Sequence, residues 1–298
     1  MKNSCTVIMS TYNGEKYLPM QLDSIIKQKD VDVNLYIRDD GSKDKTISII
    51  KEYQSKSQIK ILLEKGSNVG AAQSFMQALF DCEDESEYYA LSDQDDVWKV
   101  NKLIEAINKI QNPNELCVYY SSTDLIDKNG KYIATKKYPQ ISKENMFFGY
   151  FGSGCTFVFT REFLHFLRKY MPSKMYMHDA WILSMGCMFG KTIYDDNSYI
   201  GYRQHDSNVV GVNKKRNLEK KINDFFNKNK KRHSTIAKEL LNGYRQYMTK
   251  DDKNYINMIV EYDMNLASKI SLISSKYIKK LPKKDRRSVI REILFDTF

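Results

Sequence analysis

Four short runs of apolar and β-branched residues decide the fold of the first hundred residues: CTVIMS (5–10), VNLYIRD (33–39), IKILLEK (59–65) and EYYALSD (87–93). Each run is typical of a strand, and each is followed by apolar residues at helical spacing, as in the stretch 18–26. Alternating strands and helices predict an α/β fold. Such a fold has a mostly parallel sheet with right-handed crossovers and helices on both faces.

Small or acidic residues end all four predicted strands: STYNG (10–14), DDGS (39–42), GSNVG (66–70) and SDQDD (92–96). Ligands of open α/β sheets bind at the carboxyl ends of the strands. Gly, Asn, Asp and Ser also form ordinary turns, which is the alternative for any one loop. Four such ends together favour a binding site.

Three carboxylates, Asp93, Asp95 and Asp96, lie within four positions after the fourth strand. Carboxylates this close repel one another unless a cation or hydrogen-bond donors neutralise them. Oxygen ligands suit Mg²⁺ or Mn²⁺, which bind one or two carboxylates together with a substrate diphosphate. The alternative is a solvated acidic turn in which Asp96 caps the next helix.

The second strand ends in Asp39 and Asp40, whose carboxylates can accept a hydrogen bond from a base N–H or a ribose hydroxyl. The alternative is an Asx-turn before Gly41. No phosphate-binding Walker loop and no GxGxxG motif follows the first strand, and the glycines at 152 and 154 are weak evidence for a dinucleotide site.

Composition narrows the class of protein. The chain has 298 residues, 42% of them hydrophobic and 28% charged, a globular balance that excludes general disorder. No apolar run approaches the roughly 18 residues of a spanning helix, and the N-terminal apolar stretch is too short for a signal peptide. Five scattered cysteines without a CxxC predict neither disulfides nor a zinc site, which favours a reducing cytoplasm.

Charge divides the chain into two regions. Residues 211–298 hold 22 Lys and Arg against 10 Asp and Glu, a net charge of +12, whereas the first 210 residues have a net charge of −2. Apolar residues at helical spacing recur in this basic region, at 218–226, 236–248, 256–260 and 289–294. Such helices can pack against a second subunit or lie on an anionic membrane. We expect a homo-oligomer or peripheral membrane contact, and no nucleic acid partner.

Four motifs in order, VIMSTYNGEKYLPMQLDSI, RDDGSKDKT, SNVG and SDQDDVWKVNKL, resemble the family 2 glycosyltransferases. The resemblance covers about residues 4–210 and implies the GT-A fold, with a glycosyltransferase domain over 1–212 and a helical C-terminal region over 213–298. The motifs SDQDDVW, HDAW (178–181) and YRQHDSN (202–208) are similar to those of bacterial rhamnosyl- or hexosyltransferases of surface glycans.

The resemblance implies one group of residues that binds the nucleotide-sugar donor: Ser10, Tyr12, Asn13, Asp39, Asp40, Asn68, Gly70 and Asp93. In this group Asp40 matches the residue that hydrogen-bonds the base, and Asp39 lies beside it. The loop after the third strand contributes Asn68 and Gly70.

A second group matches the family's metal and catalytic residues. Asp93 and Asp95 match the DxD-type motif, with Asp95 the preferred ligand, and the late His205 can reach the diphosphate or the metal. Asp179 matches the general base. It opens a predicted helix, where the N-terminal dipole keeps a carboxylate ionised and available as a base. The alternative role is a simple helix cap.

We therefore expect a cytoplasmic, Mn²⁺- or Mg²⁺-dependent glycosyltransferase that moves a hexose or deoxyhexose from a UDP- or dTDP-sugar to a lipid-linked or protein-linked saccharide. One displacement with one base predicts inversion at the anomeric carbon. The alternatives are a sugar nucleotidyltransferase or a non-catalytic membrane- or nucleic-acid-binding adaptor acting through the basic region. We expect Trp98 in the core, whereas Trp181 could lie in the core or stack on a sugar.

Overall fold

The computed structural model describes residues 2–83, 85–148, 152–205 and 232–298. Its first part alternates strands and helices as expected. These elements are β1 (Asn3–Thr11), α1 (Leu18–Ile26), β2 (Val31–Asp39), α2 (Thr46–Lys56), β3 (Ile61–Lys65), α3 (Ala71–Asp81), β4 (Tyr88–Ser92), β5 (Val97–Trp98) and α4 (Lys102–Ile110).

The next part contains longer strands and two helices. They are β6 (Cys117–Ile126), β7 (Tyr132–Lys136), β8 (Val158–Thr160), α5 (Arg161–Leu167), α6 (His178–Phe189) and β9 (Lys191–Arg203), with a 3₁₀ turn over Gly154–Thr156. The C-terminal region is helical: α7 (Arg232–Tyr244), α8 (Lys250–Val260), α9 (Leu266–Ser274), α10 (Lys276–Lys279) and α11 (Lys283–Leu294).

The strands of the described residues form one mixed sheet in the order β3-β2-β1-β4-β8-β6-β9-β5, with β7 paired to β6. The first four are parallel, as the alternation predicts. The strand order reverses at β1: β2 and β3 lie on one side of it, and β4 lies on the other. Open α/β sheets bind ligands in the crevice at the carboxyl end of such a strand.

The second half of the sheet departs from a purely parallel arrangement. The three-residue strand β8 runs antiparallel to both β4 and β6 and so joins the two halves. Beyond it, β9 is parallel to β6 and carries the chain back towards the acid-rich loop after β4, where β5 pairs antiparallel with it. This return brings the end of β9 beside the acids of the predicted metal motif.

A hydrophobic cluster covers each face of the sheet. Along β1, Val7 and Met9 point into one cluster and Ile8 into the other, as the two-residue period of a strand requires. The first cluster packs under α1, α2 and α4, and the second under α3, α5 and α6. Trp98 and Trp181 are both buried, so Trp98 has its expected place and Trp181 is a core residue.

The C-terminal helices share the second cluster. Leu240 on α7 is fully buried in it, and the hydroxyl of Tyr244 donates to the Leu167 carbonyl oxygen at 2.7 Å. The apolar face of α7 therefore packs within its own chain. The predicted helix around 218–226 and the predicted boundary at 212 lie outside the described residues.

Two further expectations concern composition. All five cysteines are free and buried, as expected from their spacing. Among the helices of the described residues, none is both long and apolar enough to cross a bilayer.

Candidate active site

A cavity of about 780 Å³ opens at the carboxyl ends of β1 and β4. Of the predicted site residues, ten line it: Ser10, Tyr12, Asn13, Asp40, Asn68, Gly70, Asp93, Asp95, Asp179 and His205. Ser10 and His205, the outermost of them, are 195 positions apart in the sequence, so the fold brings residues of separate motifs together in one cavity.

Asp39 is the predicted residue that does not line the cavity. It is fully buried, where Thr11 Oγ1 donates to its carboxylate at 2.9 Å and the backbone N–H of Ser42 at 2.8 Å. The Ser42 hydroxyl donates to Asp39 at 2.6 Å and accepts from the Asn13 backbone N–H at 2.9 Å. Asp39 therefore fixes the loops after β1 and β2, which agrees with its turn-forming alternative.

Asp40 lines the cavity but its carboxylate is also committed to the protein. Arg38 Nη1 donates to Asp40 Oδ1 at 2.8 Å, and the backbone N–H of Gly70 donates to Asp40 Oδ2 at 2.9 Å. The backbone N–H of Val69 donates to both carboxylate oxygens. These bonds hold the loop after β3 at the start of α3, where Gly70 has the positive φ of 86° that favours glycine.

The acids of the loop after β4 lie in a different environment. Burial is the main cause that raises the pKa of Asp93 to about 7, and repulsion from Asp95 and Asp179 adds to it. Nε2 of His205 lies 2.7 Å from Asp95 Oδ2. The His205 ring stacks on Tyr17, with ring centroids 5.0 Å apart. A cation between these groups would relieve the repulsion between the carboxylates.

Two sets of groups are candidate ligands, and among the described residues the first forms a cluster of three ligand atoms. Ligand atoms of Asp93, Asp96 and Cys155 lie within 4.8 Å of one another. Asp96 and Cys155, however, are buried and do not line the cavity, and burial raises the pKa of the Cys155 thiol well above its usual value. The set of Asp93, Asp95 and His205 faces the cavity and offers oxygen and imidazole ligands, which fit Mn²⁺ or Mg²⁺ better than a protonated thiol does.

Arg203, which is not among the predicted site residues, holds this acidic loop in place. It is almost fully buried at the end of β9; its backbone N–H donates to Asp96 Oδ1 at 3.0 Å and its Nε donates to the Asp95 carbonyl oxygen at 2.9 Å. Asp96 is thus bound by Arg203 and does not cap α4, whose N-cap position is Asn101. The sequence signal for Arg203 is its place in the YRQHD stretch, in which the motif comparison assigns a role to the histidine alone.

Gln94 ties the same loop to the loop after β1. Its side-chain amide exchanges two hydrogen bonds with the backbone of Tyr12, accepting from the N–H at 2.9 Å and donating to the carbonyl at 3.0 Å. A Cβ atom at Gly14 would lie 2.2 Å from Gln94 Oε1, so the glycine at 14 leaves room for this contact. The middle residue of the acidic motif therefore has a structural role.

Asp179 lies in the first turn of α6, after the N-cap position Met177. It is not the N-cap residue, and its Oδ1 accepts from the Ala180 backbone N–H at 2.6 Å. The 3₁₀ turn lies against it, since a Cβ at Gly154 would be 3.2 Å from Asp179 Cβ and 2.8 Å from His178 Nε2. Gly154 thus allows the close approach of backbone to the predicted base, which accounts for a glycine that the sequence left unexplained.

The remaining wall includes residues to which the sequence assigned no role: Lys16, Lys136, Tyr138, His178, Tyr202 and Arg232. His178 and Tyr202 flank predicted site residues in the motifs HDAW and YRQHD. Lys136 on β7 and Arg232 on α7 carry no motif signal, because distant packing brings them to the cavity. Arg232 belongs to the basic region that the sequence assigned to assembly or docking.

Comparison with known proteins agrees with this site. The family described as Glycosyl transferase family 2 matches residues 6–174, which is more than half of the chain. The chain belongs to this family, and it is a glycosyltransferase that uses a nucleotide-sugar donor. A curated relative is the dTDP-rhamnosyl transferase RfbG of Shigella flexneri, 34% identical over 215 residues that make up 69% of this chain and 74% of RfbG.

Solved structures share the fold at low identity. The crystal structure of S. aureus TarS 1–349 in complex with UDP-GlcNAc aligns with a TM-score of 0.62 at 18% identity, covering all of this chain and 88% of that one. The mannosyltransferase PcManGT from Pyrobaculum calidifontis, in complex with GDP-Man and Mn²⁺, aligns at 0.53 and 14% identity and covers 100% and 89%. The predicted GT-A fold with a C-terminal helical region is confirmed.

Proposed function

We propose that this glycosyltransferase moves a hexose or deoxyhexose from a UDP- or dTDP-sugar to a saccharide hydroxyl with inversion. The observation that carries the proposal is that Asp93, Asp95 and His205 line the same cavity as Asp179. Among the described acids of this cavity, the remaining one is Asp40, which is bonded to Arg38. Similarity to a dTDP-rhamnosyl transferase supports a dTDP-deoxyhexose as the first donor to test.

Asp93, Asp95 and His205 would hold a Mn²⁺ or Mg²⁺ ion. When bound, such an ion neutralises charge on the leaving diphosphate. The chain's own residues prepare the place, because Arg203 fixes the acidic loop and Gln94 joins it to the nucleotide loop after β1. The PcManGT complex, which shares the fold and contains Mn²⁺ together with GDP-Man, supports this assignment.

Asp179 would act as the general base that takes the proton of the acceptor hydroxyl. It lines the cavity and lies in the first turn of α6, where the helix N-terminus is a favourable place for a negative charge. With Asp179 as base and the acceptor oxygen as nucleophile, the sugar is transferred in one displacement, which inverts the anomeric centre. No covalent intermediate on the protein is then required.

The acceptor would be a lipid-linked or protein-linked saccharide, handled in the cytoplasm.

The end of α11 lies beside α9, where Lys269 Nζ contacts Asp296 at 2.8 Å. Exposed apolar side chains belong to these two elements and their flanks: Met264, Leu266, Ile270, Leu294 and Phe295. Residues 276–291 add eight Lys and Arg against one Asp. Apolar side chains with neighbouring cations suit an anionic membrane surface.

Two measurements separate membrane docking from assembly of subunits. Docking predicts flotation with anionic vesicles that falls steeply with ionic strength, because the charges contribute most. Homo-oligomerisation predicts a multiple of the 35.0 kDa mass in light scattering, with little effect of salt. A monomer that ignores vesicles would contradict both roles of the C-terminal surface.

The donor proposal is tested by hydrolysis of a panel of UDP- and dTDP-sugars, each with Mn²⁺ and with EDTA. We expect one or a few donors to be hydrolysed in Mn²⁺ and none in EDTA. Full activity in EDTA would refute the metal assignment. Formation of a nucleotide sugar from a sugar phosphate would instead favour the nucleotidyltransferase alternative.

A further inference from the structure

Arg232 is the first residue of α7, and its side chain reaches the cavity that contains Asp95 and Asp179. The helix that carries it is held firmly. Leu240 is fully buried, and the Tyr244 hydroxyl donates to Leu167 at 2.7 Å. A packed helix of the C-terminal region therefore holds the guanidinium of Arg232 at the cavity.

The charges of the cavity show what this cation can do. Its wall contains the acids Asp93, Asp95 and Asp179, and the cations Lys16 and Arg232 among others. A metal ion accounts for the first two acids, whereas a nucleoside diphosphate brings more negative charge than that ion neutralises. The planar guanidinium of arginine matches phosphate oxygens with two parallel hydrogen bonds, a geometry that lysine cannot reproduce.

A structural role for Arg232 has to be weighed against binding. Glu292 on α11 is partly buried; burial raises the pKa of its carboxyl, and attraction to Arg232 acts in the opposite direction. His233 Nε2 lies 3.9 Å from Glu292, so this carboxylate has a second basic neighbour. If Arg232 served only to balance Glu292, removal of either charge would have the same effect on activity.

We propose that Arg232 binds a phosphate group in the cavity, so that the C-terminal region forms a working wall of the active site. This inference rests on the proposed function. The phosphate belongs either to the donor diphosphate or to a phosphate-linked acceptor, and both offer the same oxygens to the guanidinium. A chain truncated before α7 would then lose substrate binding as well as docking or assembly.

The test uses the full-length chain with three substitutions. Arg232→Ala removes the guanidinium, Arg232→Lys keeps the charge without the fork, and Lys238→Ala removes an exposed cation from the same helix as a matched control. Calorimetry with UDP and dTDP in Mn²⁺ should show about 10- to 100-fold weaker binding for Arg232→Ala if the donor diphosphate is the ligand. Arg232→Lys should lose less, and Lys238→Ala should match the wild type.

The second arm addresses the acceptor. An alkyl-linked saccharide diphosphate is titrated into protein saturated with UDP or dTDP. If Arg232 binds the acceptor, this titration weakens in Arg232→Ala while nucleotide affinity stays unchanged. Unchanged binding in both arms overturns the proposal, and so does an equal loss in Glu292→Gln or in Lys238→Ala. A wild-type protein that binds neither nucleotide would instead refute the proposed function, so the two failures are distinguishable.

Discussion

Aspartates at the ends of β2 and β4 have the same chemical groups but opposite surroundings. Asp39 and Asp40 are buried, and each accepts hydrogen bonds from several donors of the protein. Asp93 and Asp95 face one another in the cavity, and their repulsion adds to the burial that raises the pKa of Asp93 to about 7. The first pair is satisfied by several donors of the fold, whereas the second pair keeps its mutual repulsion beside His205, whose Nε2 lies 2.7 Å from Asp95 Oδ2, and is proposed to bind a cation. The loop after β2 thus contributes to stability, whereas the loop after β4 is the one proposed to take part in the chemistry.

The largest effect should come from Asp95→Asn. We expect turnover to fall by roughly 10³-fold or more, since the variant would lack the proposed ligand of an ion that neutralises the leaving diphosphate. EDTA should have the same effect on the wild type. The thermal midpoint measured in EDTA should change little, because relief of the repulsion between the two carboxylates opposes the weakened contact with His205.

Asp196→Asn serves as the matched control for Asp95→Asn, because Asp196 is an exposed acid paired with Lys137 at 2.9 Å. It should change neither turnover nor the thermal midpoint. A large loss of stability in Asp95→Asn would contradict the contrast between the two loops.

Asp179→Asn should have the next largest effect. It keeps the shape of the side chain but cannot accept the proton, so turnover should fall by roughly 10²–10⁴-fold. Donor affinity measured by calorimetry should remain within a few-fold of the wild type. NMR of the wild-type product should show an anomeric configuration opposite to that of the donor, and retention would rule out the single displacement.

Asp40→Asn should act chiefly on stability. The change removes the nearer of two carboxylates beside the buried guanidinium of Arg38, since Glu64 lies 4.0 Å from its Nε, and breaking such a buried pair costs up to about 3–5 kcal/mol. Denaturant unfolding measures this loss directly, with Asp95→Asn in EDTA as the comparison. Equal midpoints for the two variants would show that the acids at the ends of β2 and β4 do not differ in the way proposed here.

Much of the cavity wall that the strand ends form could be predicted because its signals are local. A strand that ends in polar residues specifies both the element and the edge where these residues collect. Asp39 and Asp40 show the limit of such signals. Successive residues of a strand point to opposite faces, but the sequence does not reveal which face meets the cavity. The hydrogen bonds of Thr11 and Ser42 decide that Asp39 lies behind the wall.

The opposite wall could not be predicted, because it depends on contacts between distant parts of the chain. Lys136 and Arg232 reach the cavity through the pairing of β7 and the packing of α7. The helical period in the C-terminal region correctly indicated buried faces, but a period does not identify what covers them. Leu240 is covered by the chain's own core. Likewise β8, with three residues, is too short to reveal its antiparallel direction.

The smallest effect concerns an aspartate of the C-terminal region, Asp252, which is satisfied in the same manner as Asp39 but near the surface. Thr249 and Asp252 form a capping box at the start of α8, and Lys143 Nζ lies 2.9 Å from the Asp252 carboxylate. Burial alone would raise the pKa of Asp252, but hydrogen bonds from Lys143 and Thr249 lower it overall.

Because the folded-state pKa of Asp252 is depressed, its stabilising contribution is present above the unfolded value near 3.9 and is lost as pH falls through the folded value. Asp252→Asn should therefore lower the free energy of unfolding at pH 7 by about 1 kcal/mol, the usual cost of a lost cap. The difference from the wild type should shrink as the pH falls below about 4. Urea unfolding at pH 7 and at pH 3 measures both values. A difference that stays constant with pH would mean that the ionised carboxylate contributes nothing to the cap, and the comparison with Asp39 would then fail for this region.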